Sequence, residues 1–290
     1  MAVALFLGAS LQYMHQVCSA APSLARPRSK RLYATHLMPT VEIHRLMRFL
    51  SRLFQRPPPP FTAALKVAEP VALIGDIHGC DRLLDRLLGK LDSLPNPLRI
   101  VCVGDYIDRG DGSAAVIDTL MQRPDIVCLK GNHEAMCLGF LDDPEKYGRR
   151  WLRYGGLQTL AGYGVAGPVQ GGDRGLQRVR DDLALAMGDA RIDWLRGLPL
   201  TWQTGNLLVT HAGGNPAQAA GDQRSRDLLW GHPDFMTLPR MDGIWVAYGH
   251  VIQDKPVMAQ GRIALDTGAY ATGVLTAAVL GDGPPRFVTA

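Results

Sequence analysis

Asp76 and His78 share the stretch "PVALIGDIHG". Asp105, Asp108 and Arg109 share "GDYIDRG", Asn132 and His133 share "GNHE", and His211 and His250 follow in "THAGG" and "AYGH". Of these, Asp76, His78, Asp105, Asn132, His211 and His250 offer carboxylate oxygens, an amide oxygen and imidazoles. That mixture suits divalent ions such as Mn, Fe or Zn, and suits Mg less well because imidazoles dominate. The absence of cysteine from the set argues against a structural zinc site. One carboxylate can bridge two ions, and such a pair activates water and holds a phosphoryl oxygen. Taken alone, each residue has a plainer reading. A Gly-Asp after an apolar run is a turn signal, and a lone histidine is more often a hydrogen-bonded core or surface residue. His15, His36 and His44 keep that plainer reading. The others are set apart by where they recur.

Each stands just beyond a short apolar run. "PVALI", "LRIVCV", "PDIVCL", "NLLVT", "IWVAY" and "RIAL" are rich in β-branched residues and bounded by glycine or turn residues, as buried strands are; the last ends at Asp266. Between the early runs lie helical patterns. "DRLLDRLLGKLDSL" places leucines at 83, 84, 87, 88, 91 and 94 along one face, and "SAAVIDTLMQR" and "HEAMCLGFL" are shorter candidates. Strand alternating with helix predicts an α/β fold. In such folds the ligand crevice lies beyond the carboxyl ends of the strands, so residues distant in sequence can converge there. Residues 142–203 read as a helical insertion covering one side of the crevice, with a glycine-rich patch, "VAGPVQGGDRG", as a loop.

The composition fits one large catalytic domain. With 47% hydrophobic and 20% charged residues, the 290-residue chain has a globular profile. Its net charge of +4 is mild and concentrated near the N-terminus, which argues against a nucleic-acid binder. The five cysteines form no C-x-x-C pair and read as reduced thiols, hence a reducing, cytoplasmic setting. No apolar run is long enough to span a bilayer. Residues 1–60 read as an N-terminal extension closed by a stiff "PPPP" linker, with residues 61–290 as the catalytic domain. The opening stretch resembles a signal peptide only loosely, because it lacks a basic start; export is the alternative to the cytoplasm. "VEIHRLMRFLSRLF" has the pattern of a basic amphipathic helix.

"GDIHG", "GDYIDRG", "GNHE", "HAGG" and "GH", in this order and spacing, resemble the phosphoprotein phosphatase family of metal-dependent phosphoesterases. "WLRYGGLQTLAGYG", "DWLRGLPL" and "DTGAYATGVLTA" resemble its bacterial serine/threonine phosphatase branch. The resemblance runs from about Val71 to Leu280. It implies the calcineurin-like fold: two facing mixed β-sheets flanked by helices, with two metal ions at the strand ends. It implies that Asp76 and His78 bind the first ion, that Asp105 bridges, and that Asn132, His211 and His250 complete the second. It further implies that Arg109 grips the phosphoryl oxygens and that His133, oriented by Asp108, protonates the leaving oxygen.

Two departures bear on substrate. Where related chains read "LLW-x-R", this one reads "LLWGHP", which puts His232 near the arginine's place and makes it a candidate substrate-binding residue; Arg224 and Arg226 lie close by in sequence. Val251 stands where threonine is common. The resemblance implies two metal ions, Mn first with Fe or Zn as alternatives, and a phosphoprotein or phosphopeptide substrate. The second functional reading is hydrolysis of symmetrical dinucleoside polyphosphates. Retention of Asp108, Arg109, Gly110 and Glu134 favours the phosphatase, and oligomeric state stays open.

Overall fold

A computed structural model describes residues 60–168 and 173–290. The extension expected over residues 1–60, including its basic helical stretch, lies outside the described residues up to residue 59, as does part of the glycine-rich patch.

The apolar runs become strands of two five-stranded mixed sheets. The first has strand order β10-β9-β1-β2-β3, from β1 (Val71–Ile74), β2 (Arg99–Cys102), β3 (Val127–Cys128), β9 (Thr276–Gly281) and β10 (Gly283–Thr289). The second has order β4-β5-β6-β8-β7, from β4 (Thr201–Thr204), β5 (Leu207–Thr210), β6 (Trp245–Tyr248), β7 (Val257–Ala259) and β8 (Arg262–Ala264). Strands β1, β2 and β3 run parallel, as do β5, β6 and β8. Their carboxyl ends therefore open on a common edge within each sheet.

The two-residue period of a strand explains why these runs are continuously apolar. In β1, Val71 and Leu73 join Val101, Val209, Ala247 and Ile263 in a core containing residues of both sheets. Ala72 and Ile74 point the other way, into the helical layer. Helix α1 (Asp81–Asp92) buries Leu83, Leu84, Leu87, Leu88 and Leu91 there, as its leucine spacing predicts. Truncating a fully buried member such as Leu84 to alanine costs about 2–5 kcal/mol. Helices α2 (Ser113–Met121) and α3 (Asn132–Asp142) follow β2 and β3.

The helical stretch expected over residues 142–203 comprises α4 (Pro144–Trp151), a π-turn at Leu152–Gly156, α5 (Leu157–Gly162), α6 (Asp173–Met187) and α7 (Asp189–Gly197). Its last residues differ from the expectation, because Thr201–Thr204 pair with β5 as a strand. Short helices α8 (Ser225–Trp230) and α9 (Ala269–Thr272) complete the chain. Among the described residues no helix is long and apolar enough to cross a membrane, and Cys80, Cys102, Cys128 and Cys137 are free.

Candidate metal centre

Each sequence-nominated ligand follows a parallel strand by a few residues: Asp76 follows β1, Asp105 follows β2, Asn132 follows β3, His211 follows β5 and His250 follows β6. Leaving a strand and presenting a side chain backwards requires unusual backbone. His78, Asp105, Asp108, Arg109 and His250 all adopt positive φ, between 45° and 69°. Non-glycine residues rarely do so, and the strain persists only where surrounding structure enforces it. Glu134 supplies much of that enforcement. Its buried carboxylate accepts the backbone N–H groups of Asp105 at 2.9 Å, Tyr106 at 2.8 Å and Gly131 at 2.8 Å. Two glycines make room: a Cβ on Gly131 would lie 2.1 Å from Asp105 Oδ1, and one on Gly249 would lie 1.8 Å from Asp76 Oδ1.

Asp105 stands at the middle. Its Oδ2 lies 3.5 Å from His78 Nε2 and 3.9 Å from His133 Nε2, while its Oδ1 lies 3.4 Å from His211 Nε2. Two groups with metal-ligand spacing result, His78–Asp105–His133 and Asp105–His211–His250, and they share this one carboxylate. Burial works against its charge, but the imidazoles around it and the His133 N–H hold it below the usual carboxylate range.

The donor chemistry fits a pair of cations. His78 donates Nδ1–H to the Ile107 carbonyl at 2.8 Å, and His211 donates Nδ1–H to the Val103 carbonyl at 3.2 Å. Burial keeps both rings neutral, lowering His78 to about 3 and His211 to about 4. Their Nε2 atoms therefore carry lone pairs, the form in which imidazole binds metal. His211 Nε2 meets Asn132 Oδ1 at 2.8 Å, and His250 Nδ1 meets the same oxygen at 2.9 Å. The first of these contacts brings two lone pairs together, which a cation would reconcile. Asp76 adds to the case. It is 2% exposed, its Oδ2 accepts the His250 N–H at 2.9 Å, and its Oδ1 has no hydrogen-bond partner among the described residues. Burial, followed by the charges of Asp266 and Asp105, raises the Asp76 pKa well above normal. Such a cluster of buried carboxylates is costly unless a cation balances it.

His133 belongs to the first group by distance, yet its Nδ1 is committed to Asp108 Oδ2 at 2.6 Å. Asp108 is itself fixed by Trp151 Nε1–H at 3.0 Å, by the Thr159 hydroxyl at 2.6 Å and, through its own backbone N–H, by Thr159 and Ser113. Burial pushes the His133 pKa down, but Asp105 and Asp108 outweigh it and the net shift is upward. The shift favours the protonated ring. Arg109 bridges the site, with Nη1 3.1 Å from His78 Nε2 and Nη2 3.2 Å from His133 Nε2. Its guanidinium lies 4.9 Å from the centroid of the Tyr270 ring.

The structure thus gathers Asp76, His78, Asp105, Asp108, Arg109, Asn132, His133, His211 and His250. His232 follows α8 and turns to its own loop: Nδ1 accepts the Asp234 N–H at 3.2 Å and lies 3.9 Å from the Asp234 carboxylate. None of its contacts reaches the cluster, and Arg224 and Arg226 are exposed. Sequence reading assigned no role to Glu134, Trp151, Thr159 or Tyr270. Glu134 carried a faint signal, three residues beyond Gly131 at a helix start; the others lie in the stretches "WLRYGGLQTLAGYG" and "DTGAYATGVLTA", whose resemblance pointed to a branch of the family and to no individual role.

The sequence pattern of the calcineurin-like phosphoesterase family matches residues 69–254. The chain is 36% identical over 212 residues to serine/threonine-protein phosphatase 2 of Salmonella typhimurium, covering 70% of this chain and 89% of that protein. It is 33% identical over 152 residues to a symmetrical bis(5'-nucleosyl)-tetraphosphatase of Paracidovorax citrulli, covering 51% of this chain. It spans less than half of that relative's length, 45%. A Saccharomyces cerevisiae protein serine/threonine phosphatase with similarity to human PP5 shares the fold, with a TM-score of 0.52 at 17% identity, covering 87% of this chain and 90% of that one. The pattern spans more than half of the sequence, and the protein belongs to the calcineurin-like phosphoesterase family.

Proposed function

We propose that the protein is a dimetal phosphomonoesterase that removes phosphate from phosphoserine and phosphothreonine in proteins. The observation carrying this reading is one carboxylate, Asp105, shared by two ligand groups, with a phosphate-type clamp and a proton carrier against the same centre. Asp76, His78 and Asp105 would hold one cation and Asp105, Asn132, His211 and His250 the other, with Mn the first choice and Fe or Zn alternatives. When bound, the two cations supply charge that acidifies water and steadies phosphoryl oxygens.

The chain's own groups do the rest. Arg109 presents two Nη groups side by side, the fork that matches two oxygens of a phosphoryl group. A cation held by His78 would occupy the lone pair that Nη1 now meets, and a proton on His133 Nε2 would displace Nη2, leaving both groups for that task. Water attacks phosphorus in line as the ester oxygen departs. A serine or threonine alkoxide is a poor leaving group, so proton transfer from His133 is worth about 10²–10⁴-fold. Asp108 keeps the imidazole oriented and favours its charged form, and Trp151 and Thr159 keep Asp108 in place.

The tetraphosphatase relatives give a second reading, hydrolysis of dinucleoside polyphosphates. The test is a side-by-side assay of Mn-loaded protein on a phosphoserine and phosphothreonine peptide panel and on diadenosine tetraphosphate. The phosphatase reading expects higher kcat/KM on at least one peptide. A higher value on the dinucleotide than on every peptide replaces it with the second reading.

A further inference from the structure

Arg109 lines a cavity of ≈430 Å³ whose other walls include Arg153, Tyr154, Gln158 and Tyr270. Arg150, which meets the Tyr154 ring, lines a different cavity, with Trp230 and Lys130. The Arg150 guanidinium lies 5.9 Å from the Tyr154 ring centroid and 4.4 Å from that of Trp230 on α8. Arg150 and Arg153 are both exposed, and neither meets a carboxylate among the described residues. Their neighbours on the helical segments behave differently: Arg180, Arg191 and Arg196 each pair with an aspartate.

An arginine held against aromatic rings uses its faces for cation–π attraction and keeps its N–H edges for hydrogen bonding. It is also pre-organised, because stacking limits the rotamers it would otherwise lose on binding an anion. The placement follows from the helical turn. Trp151 points inward to Asp108, while Arg150, one residue earlier, and Arg153 and Tyr154, a turn later, are on the exposed side. The segment that orients the proposed acid thus also carries two arginines with no carboxylate partner among the described residues, one of which, Arg153, lies in the cavity that Arg109 lines.

We infer that Arg153, in the cavity shared with Arg109, and Arg150, held against the Tyr154 and Trp230 rings, form an anion-recognition subsite for a second negative group of the substrate, next to the phosphate held at Arg109. This deepens the proposed function and rests on it for the position of the scissile phosphate. The group recognised is an oxyanion, either the carboxylate of an acidic residue flanking the phosphorylated one or a further phosphate in the same substrate.

The test compares kcat/KM on two phosphothreonine peptides, identical except that one carries aspartate and glutamate on both flanks and the other serine and glutamine. Inorganic tripolyphosphate, as an inhibitor of the neutral peptide's hydrolysis, distinguishes a phosphate from a carboxylate. Wild type is expected to favour the acidic peptide by about tenfold, in keeping with two exposed but charge-assisted contacts. In the double variant Arg150→Gln, Arg153→Gln that ratio, taken within the variant, is expected to fall to about one, or the tripolyphosphate inhibition to weaken by a similar factor. Both positions are exposed, and thermal unfolding checks that the variant is folded. A wild-type ratio near one together with weak tripolyphosphate inhibition overturns the inference. So does a double variant that keeps both the ratio and the inhibition. Calorimetric binding of the acidic peptide with alanine in place of phosphothreonine needs no turnover. If no peptide is hydrolysed, loss of this binding in the double variant upholds the subsite while the phosphatase reading fails; unchanged binding then overturns the subsite too.

Discussion

Asp108 and His232 both stand in polar stretches beyond a regular element, but the protein confines one and leaves the other to its own loop. Asp108 is fully buried, at positive φ, and is reached by His133, Trp151 and Thr159 from three different parts of the chain. His232 is partly exposed and contacts Asp234 two residues away. A residue fixed from several elements has its orientation determined by the fold. One fixed by its own loop has an orientation that a substitution next door can change. Deep confinement therefore predicts large mutational effects and local confinement predicts small ones.

The largest effect is expected at Asp105, the most shared residue of the site. Asp105→Asn keeps the shape but removes the charge that both ligand groups face. Activity should fall by about 10³-fold or more, corresponding to several kcal/mol of lost charge stabilisation. Elemental analysis after dialysis should find less bound metal. Wild-type metal content with wild-type turnover would remove Asp105 from the centre.

Next comes His133. His133→Asn is expected to lower kcat on phosphothreonine peptides by about 10²–10⁴-fold, and to matter less for an aryl phosphate whose leaving group needs no proton. The pH profile gives an independent check. The His133 pKa is raised because Asp105 and Asp108 outweigh burial. The donating form is the protonated one, so wild-type kcat should decline as pH rises through that raised value. The variant should lack this alkaline decline. Equal losses on good and poor leaving groups would count against a proton-donating role.

Smaller again is Trp151→Phe, which keeps a ring stacked on Phe140, now 4.8 Å away, but removes the N–H given to Asp108. Loss of a hydrogen bond to a charged, buried group should cost about 1.5–3 kcal/mol, read from the urea midpoint at unchanged m-value. Because Asp108 keeps Thr159, kcat should fall less than for His133→Asn. A stability equal to wild type would mean that the network tolerates loss of a member, and the contrast with His232 would weaken.

These residues also mark how far sequence carried the reading. The strand ends were legible because buried parallel strands are uniformly apolar and break sharply into polar residues, as at Ile74 before Asp76 and Cys102 before Asp105. The leucine face of α1 was legible for the same reason, being a periodic pattern of burial. Trp151 and Thr159 lay in a quoted stretch but their task was not legible, because a buried tryptophan or threonine in a helix looks like core, and nothing local reveals that it gives a hydrogen bond to a distant carboxylate. Glu134 lay in a quoted motif, but its task of gathering the N–H groups of Asp105, Tyr106 and Gly131 depends on three loops meeting. Adjacency also misleads. Proximity in sequence points to His232, Arg224 and Arg226 for an absent arginine near Trp230, whereas the arginine lying on the Trp230 ring is Arg150, from α4.

That arrangement makes His232→Arg the smallest expected effect. A histidine loses its charge near neutral pH and an arginine does not. If the side chain at 232 held a phosphoryl oxygen, the substitution would lower KM most clearly on the alkaline side. The geometry argues otherwise: His232 Nδ1 accepts a backbone N–H from Asp234, and the Trp230 face already carries Arg150. An arginine at 232 would have the Asp234 carboxylate close by as an exposed partner, a pairing worth about 0–1 kcal/mol. KM for a phosphopeptide should therefore change by no more than about twofold between about pH 6 and about pH 9, a shift within the range of such a surface contact. A KM that falls about fivefold or more at the alkaline end alone would place residue 232 against the substrate after all. It would also mean that the loop after α8 is positioned by the bound phosphate and not by Asp234.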